Sequence, residues 1–308
     1  MAIIDQTHID LIKLLEVDFG PLPEVADRLL QRKHRRWAES GRSASVPQPT
    51  QKWSATCQFE KDQIEKSLIL SWLQYRARLI PMRYREVKLS ERAKQDIIRF
   101  PVIYEIIDQV CHFGDSSPFL SRAIFDRRKS DQSNDPLFSG FQLSHFHLSN
   151  LFVTSSMAKG TRDLLYGKVS ADSFNILGVF DHNFGAQALL EVWSDSFPDD
   201  FIPLVGVIPS PEPPLTFEQL RQMIKVGVNS AITIGDQVCM LKSLGVSTTG
   251  QASRIVNRYI QMCGEISNIK KNASIVPACI GLNLNDFGEI EIYDKISNNL
   301  LYKMTALE

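Results

Sequence analysis

The sequence predicts an α+β fold, with a mainly helical N-terminal part followed by antiparallel β-hairpins and interspersed helices. Apolar residues recur at helical spacing in several segments of the first 110 residues, whereas after Pro136 they fall in short runs bounded by Gly, Ser, Asp and Pro. At 308 residues, with 44% hydrophobic and 22% charged residues, the chain can bury a full core. The expected division is a helical part over residues 1–135 and an antiparallel α+β part over 136–308.

Taken in order, Ile9, Leu11, Ile12, Leu14 and Leu15, then Val25, Leu29 and Leu30 after Pro23, predict two short helices. The run from Arg32 to Arg36 reads as a solvated basic helix end or as a contact for nucleic acid or an acidic partner. Arg42 to Lys52, rich in Ser, Pro and Gln, reads as a loop, and a helix follows over about Glu60 to Arg78. Met82 to Leu89 alternates as a strand, with Arg83 and Arg85 on one face and Tyr84 on the other. Ser90 is placed to cap the next helix, and a further helix covers about Val102 to Val110. Asp126 to Asp135 reads as a polar segment that does not pack, either a boundary or a loop beside a site.

Beyond it, Phe141 to Asn150 reads as extended. Asp163 to Val169 and Phe174 to Phe180 form a hairpin around Ser170 to Ser173, and Ala186 to Phe197 is helical. A strand over Phe201 to Ile208 ends at Ser210-Pro-Glu-Pro-Pro214, and Phe217 to Val228 is helical. Gly235-Asp236 supplies the positive φ of a tight turn between Ala231–Ile234 and Gln237–Met240. A helix over about Gln251 to Ile266 precedes a meander near Ala278–Leu284, Glu289–Tyr293 and Leu300–Met304.

The net charge of −1 gives no global attraction to nucleic acid, although Arg76 to Arg99 holds eight Lys/Arg against three Asp/Glu. Five widely spaced cysteines, with no Cys-x-x-Cys, argue against a disulfide framework and a cysteine-rich zinc site. The first residues show no basic segment leading into an apolar run, and no apolar stretch approaches membrane-spanning length, so a cytoplasmic setting without membrane partners is expected. Motifs of P-loop and dinucleotide binders, serine hydrolases with a nucleophile elbow, zinc peptidases and kinases are missing.

Chemistry is concentrated in three of the six histidines, which fall within 38 residues: His145, His147 and His182. On a strand His145 and His147 share a face. They can be separate structural residues, zinc ligands together with His182 or Asp181, or acid–base catalysts without a metal. Cleavage of RNA by its own 2′-hydroxyl needs a base, an acid, and donors around the phosphate. Arg162, Tyr166 and Lys168 lie on the adjoining hairpin strand, with Tyr166 and Lys168 on one face, and Asp181 and His182 end its partner. Asp181 is placed to cap the helix that follows. A second candidate is the loop Gly245 to Gly250, where Ser247, Thr248 and Thr249 precede a helix and can meet an anion such as phosphate.

The segment from Gly114 to Ser121, then His145-Phe-His-Leu148, Thr161-Arg-Asp-Leu-Leu-Tyr166 and Asp181-His182 before Ala188-Leu-Leu-Glu191, resembles a bacterial family with His-x-His-Leu, Leu-Leu-Tyr/Phe and a later His in that order. Thr248-Thr-Gly250 matches the family's Thr-Thr-Gly at a helix start, while Ser149 stands where the family has glycine. The resemblance covers about residues 114 to 260 and implies that the histidines act together. More distantly, the chain looks like the barnase, EndoU, colicin and RelE group of ribonucleases, many of them toxins or antiphage effectors, by analogy of architecture.

The leading expectation is a metal-independent endoribonuclease of toxin or phage-defence type, without a cofactor. In it His145 or His147 is the base and His182 the acid, Arg162 and Lys168 stabilise the phosphate, Tyr166 positions the substrate, and Arg83 and Arg85 hold the RNA backbone. RNA is the expected partner, and an antitoxin or regulatory protein a possible second. The alternatives are an antitoxin, immunity or nucleic-acid-binding module with structural histidines, and a zinc-dependent hydrolase.

Overall fold

The computed structural model describes residues 70, 73–112, 114–121, 124, 135–150, 152–154, 157–181, 186–210, 216–242, 245–247, 252–272, 280–284, 289–294, 297 and 300–305. Expectations for residues 7–37, 42–52 and 126–134 lie outside them. The fold is α+β, as expected. Two compact units divide the chain, the larger spanning Gln74–Ile260 and the other including Gln261–Asn285 and Ile290–Met304.

The larger unit is built on a four-stranded sheet, in the order β1 (Glu86–Leu89), β6 (Ser173–Asp181), β5 (Asp163–Val169), β2 (Leu143–His147). The hairpin expected around residues 170–173 is β5–β6, with Asp163 opposite Asp181 and Val169 opposite Phe174. β2 runs antiparallel to β5 at one edge. β1 runs parallel to β6 at the other, a departure from the all-antiparallel expectation. Since β1 comes from before residue 135, the boundary expected there falls inside this unit.

Helices cover both faces, which is why β6 reads as a nearly continuous apolar run from Phe174 to Phe180. On one face α2 (Glu91–Arg99) and α3 (Val102–Cys111) bring Ala93, Ile97, Ile103, Ile106 and Val110 onto Phe146, Leu165, Phe174, Ile176 and Val179. Ser90 caps α2 as expected, accepting the Ala93 amide at 2.9 Å, and its hydroxyl donates to the Leu177 carbonyl at 2.7 Å. On the other face α5 (Ala186–Ser196) places Leu189, Leu190 and Trp193 against Leu143, Leu164, Tyr166, Leu177 and Phe180. Phe201, Ile232 and Cys239, from the three-stranded sheet β7 (Phe201–Pro203), β9 (Gln237–Leu241), β8 (Ile232–Ile234), join this second core. The β8–β9 turn uses Gly235 at φ +56°, as the Gly-Asp pair predicts.

A β-bulge separates Tyr166 from Gly167 in the β5–β6 register. There Gly178 sits at φ +125°, and a Cβ would come within 2.9 Å of both Arg92 Cγ and Asp96 Oδ2. The bulge turns the Val179 amide toward Asp96, which accepts it at 2.7 Å. Arg92 adds a bond to the Val179 carbonyl at 2.7 Å and lies over the Phe180 ring.

Three segments depart from the sequence reading. Phe141, expected to open an extended segment, instead ends a short helix, α4 (Pro136–Phe141), which turns at Gln142 (φ +59°) directly into β2. The strand over Phe201 to Ile208 stops at Pro203. Strand β1 starts at Glu86, and Arg85 is not a surface cation. With 1% of its surface exposed, Arg85 donates to the carbonyls of Ser170 (2.8 Å), Val110 (2.7 Å), Pro81 (3.0 Å) and Arg83 (3.4 Å). Burial first, and then the charge of Arg83, lower its pKa to about 10. Those bonds leave no fork for an RNA backbone, so Arg85 is corrected from substrate binder to a clasp joining α3, the β5–β6 turn and the entry to β1.

The other unit holds β10 (Ile280–Leu284), β11 (Glu289–Asp294) and β12 (Leu300–Thr305) in that order, close to the meander expected from sequence. The helix expected over residues 251–266 is α7 (Ser253–Asn272).

Because removing a buried hydrogen-bonded cation orphans its acceptors, Arg85→Met is expected to destabilise the protein by about 3 kcal/mol or more in urea denaturation. Arg85→Lys should recover only part of that loss, since an ammonium cannot reproduce a planar fork. A loss under about 1 kcal/mol for Arg85→Met would contradict the clasp.

Candidate functional site

The site forms on β2, where Asp135, the residue before α4, meets the first strand histidine. A six-residue helix is too short to persist alone. Its start carries two strong local signals, Asp at the N-cap and Pro at the first helical position. Asp135 Oδ1 accepts the amides of Leu137 (3.1 Å) and Phe138 (3.3 Å). Its other oxygen lies 3.3 Å from His145 Nδ1 and 3.6 Å from a terminal guanidinium nitrogen of Arg78, whose residue closes the helix over 73–78, α1. The three side chains are 11%, 18% and 7% exposed respectively.

Burial alone would raise the Asp135 pKa. The hydrogen bond and charge of His145, the charge of Arg78 and the Phe138 amide outweigh it and hold the carboxyl at about 2. For Arg78, burial lowers the pKa and Asp135 opposes the fall. Neither residue was among the expected site residues. In sequence Asp135 stands at the end of a polar run that suggests no packing, although Asp-Pro ahead of an apolar segment is a helix-start signal. Arg78 was one of eight cations in a basic stretch, and nothing local distinguished it.

His145 and His147 share a face of β2, as the two-residue period requires, with ring centroids 6.2 Å apart and nearly perpendicular planes (86°). Their hydrogens are arranged oppositely. A carboxylate only accepts, so His145 Nδ1 carries hydrogen toward Asp135 and the neutral ring presents a lone pair on Nε2. A backbone amide only donates, and the Thr161 amide donates to His147 Nδ1 at 3.2 Å. His147 is therefore neutral in this bond, with its hydrogen on Nε2. Thr161 fixes the end of β2 further, its hydroxyl accepting the Leu148 amide (3.0 Å) and donating to the Asp163 carbonyl (2.7 Å).

Tyr166 stands directly opposite His145 in the β2–β5 register, with ring centroids 6.0 Å apart. Its phenol is buried. Desolvation first, then the charges of Asp135 and Asp181, push its pKa above the usual tyrosine value, so it remains a protonated donor beside the imidazole.

Other expected site residues are placed differently. Lys168 shares the Tyr166 face, but its ammonium is bound to Asp200 Oδ1, whose other oxygen accepts the Trp193 indole hydrogen at 2.7 Å. That part-buried network pins β5 to the turn before β7. Arg162 is 81% exposed and pairs with Asp181 at 3.4 Å across the hairpin end, so the Asp181 carboxylate is engaged there. Arg83 is half-buried beside the Arg85 clasp. His182, Thr248 and Thr249 lie outside the described residues. Ser247 follows Val246, which the Asn229 side chain clamps through two bonds of 2.7 and 2.8 Å. Among the described residues, no three His, Cys, Asp or Glu side chains gather closely enough to hold a metal ion. Among them, too, no helix is long and apolar enough to cross a membrane.

Fold and site together define an α+β protein with a carboxylate-oriented histidine on a sheet edge. No family model, curated protein or solved structure matches the chain.

The depressed Asp135 pKa has a stability consequence of definite sign. A carboxyl whose folded pKa is about 2, against an ordinary 3.8, contributes stability above about pH 4 that disappears as pH falls toward 2. At 1.36 kcal/mol per pKa unit, that contribution is about 2 kcal/mol at neutral pH. Asp135→Asn is expected to be less stable than wild type by about that amount at pH 7, the gap narrowing as urea denaturation is repeated from pH 5 to pH 2. A gap independent of pH would show that the charge is not what holds the cluster.

Proposed function

We propose that the chain is a metal-independent endoribonuclease of toxin or phage-defence type, acting by acid–base cleavage. One observation carries this reading: two imidazoles share one strand face with opposite contacts at Nδ1, His145 facing the Asp135 carboxylate and His147 accepting the Thr161 amide. In this mechanism His145 Nε2 takes the proton of the ribose 2′-hydroxyl, the 2′-oxygen bonds to phosphorus, and the bond to the 5′-oxygen breaks. His182, next in the chain after Asp181, gives the proton that the leaving 5′-oxygen takes. The His147 Nε2 hydrogen and the Tyr166 phenol donate to the non-bridging oxygens where charge grows. Asp135 is a positioning residue that holds His145 in the tautomer a base needs. The products are a 2′,3′-cyclic phosphate and a 5′-hydroxyl. RNA is then the substrate, and an antitoxin or regulatory protein is the partner such an activity calls for in its host.

A second reading, a binding module with structural histidines, is favoured by the burial of Asp135 between Arg78 and His145, since such a cluster also specifies packing.

Purified protein incubated with total RNA, with and without EDTA, separates them. The proposed enzyme cleaves in EDTA, leaves cyclic phosphate termini, and loses about 10²- to 10⁴-fold of its rate in His145→Ala. His147→Ala and Tyr166→Phe should cost less, since each removes a donor and not the base. Cleavage abolished by EDTA would sink the metal-independent mechanism; no cleavage by folded wild type would favour the binding module.

A further inference from the structure

The buried arginines are not compensated alike. Arg254, in the first turn of α7, lies with its guanidinium carbon 4.5 Å from the centre of the Phe138 ring. Its Nε and one terminal nitrogen are sealed from solvent and make no hydrogen bond. No ion pair reaches it among the described residues. Burial alone lowers its pKa, to about 10, with no carboxylate there to pull it back. Buried donors without acceptors cost free energy, and a guanidinium held over an aromatic face keeps its in-plane hydrogens available for a two-oxygen acceptor. Arg254 as a whole residue is only partly buried.

The surroundings favour an anion. The start of α7 carries the positive end of the helix dipole. Phe138 belongs to α4, one turn from Asp135, so the helix that orients His145 also carries the ring beneath Arg254.

We infer that Arg254 is the anchor of an oxyanion-binding subsite whose ligand is a phosphate group, supplied by the RNA strand that the histidines cleave. The phosphate site stands on Arg254 itself, whereas its assignment to RNA rests on the proposed function. Free phosphate offers the same chemistry, so the test uses both sources.

Thermal unfolding of the full chain is compared for wild type and Arg254→Met, in inorganic phosphate and in chloride at matched ionic strength. A guanidinium awaiting its ligand makes no net contribution to the free fold. Arg254→Met is therefore expected to melt in chloride at or above the wild-type temperature. Phosphate should raise the wild-type melting temperature by about 2–4 °C and leave the variant unmoved. Binding of a 2′-O-methyl oligoribonucleotide, which cannot be cleaved through its 2′-oxygen, should weaken roughly tenfold in the variant, with the salt dependence reduced by about one phosphate contact. Arg254→Lys, which keeps the charge without the planar fork, should fall between the two.

Equal stabilisation of both proteins by phosphate, or an Arg254→Met variant that melts lower in chloride or fails to fold, overturns the subsite. A response to inorganic phosphate that depends on Arg254, with oligonucleotide binding that does not, upholds the anion site and overturns its assignment to RNA. Loss of RNA cleavage in His145→Ala with the phosphate response intact separates this inference from the catalytic reading.

Discussion

The carboxylate of Asp135 is the constraint on which the site side of this structure depends. One oxygen caps a six-residue helix and the other faces Arg78 and His145. A buried carboxylate without partners would be prohibitive, and each partner here removes a different part of that cost. The consequence is geometric. The N-cap position fixes where the charge lies, the tight turn at Gln142 fixes where β2 begins relative to it, and the strand period then brings His145 to the carboxylate. Histidine orientation thus follows from a helix cap, and α4 holds together because its cap is charged and bound on both oxygens.

The position of β2 explains how polar chemistry coexists with two well-filled faces. The central strands β5 and β6 are committed to cores on both sides, and Tyr166 is the polar handle that β5 lends to this region. β2 is an edge strand, with Phe146 serving one core while His145 and His147 occupy the other face beside Asp135 and Thr161. Histidines on an edge strand also weaken it as a template for strand addition.

Elements specified by neighbouring residues were readable in the sequence. The β5–β6 hairpin, the Ser90 cap, the Gly235-Asp236 turn and the shared face of His145 and His147 each follow from period or turn chemistry within a few positions. What escaped depends on partners far along the chain. Arg85 lies inside a segment whose alternation reads as a surface strand, and its burial is decided by carbonyls at Pro81, Val110 and Ser170. The face of Lys168 follows from the strand period, but the acid that takes it, Asp200, lies 32 residues away. Parallel pairing of β1 with β6 leaves no local signature. Asp135 differs, because its Asp-Pro signal was present and was outweighed by the polar residues before it.

Three arginines of the larger unit show how differently a buried guanidinium can be accommodated. Arg78 meets a carboxylate, so its charge is neutralised within the fold. Arg85 meets carbonyl oxygens, so its hydrogens are satisfied while its charge is spread over backbone dipoles. Arg254 meets the face of Phe138, which attracts the cation but accepts none of its in-plane hydrogens. The first two arrangements are complete and rigidify what they join. The third is incomplete by the same physical criteria, and the group that would complete it needs negative charge and two acceptor oxygens, the combination a phosphodiester carries. Phe138 and Asp135 belong to the same turn of α4, so a phosphate at Arg254 and an orienting carboxylate at His145 would each load one short helix, which under the proposed function would tie substrate binding to the placement of the base.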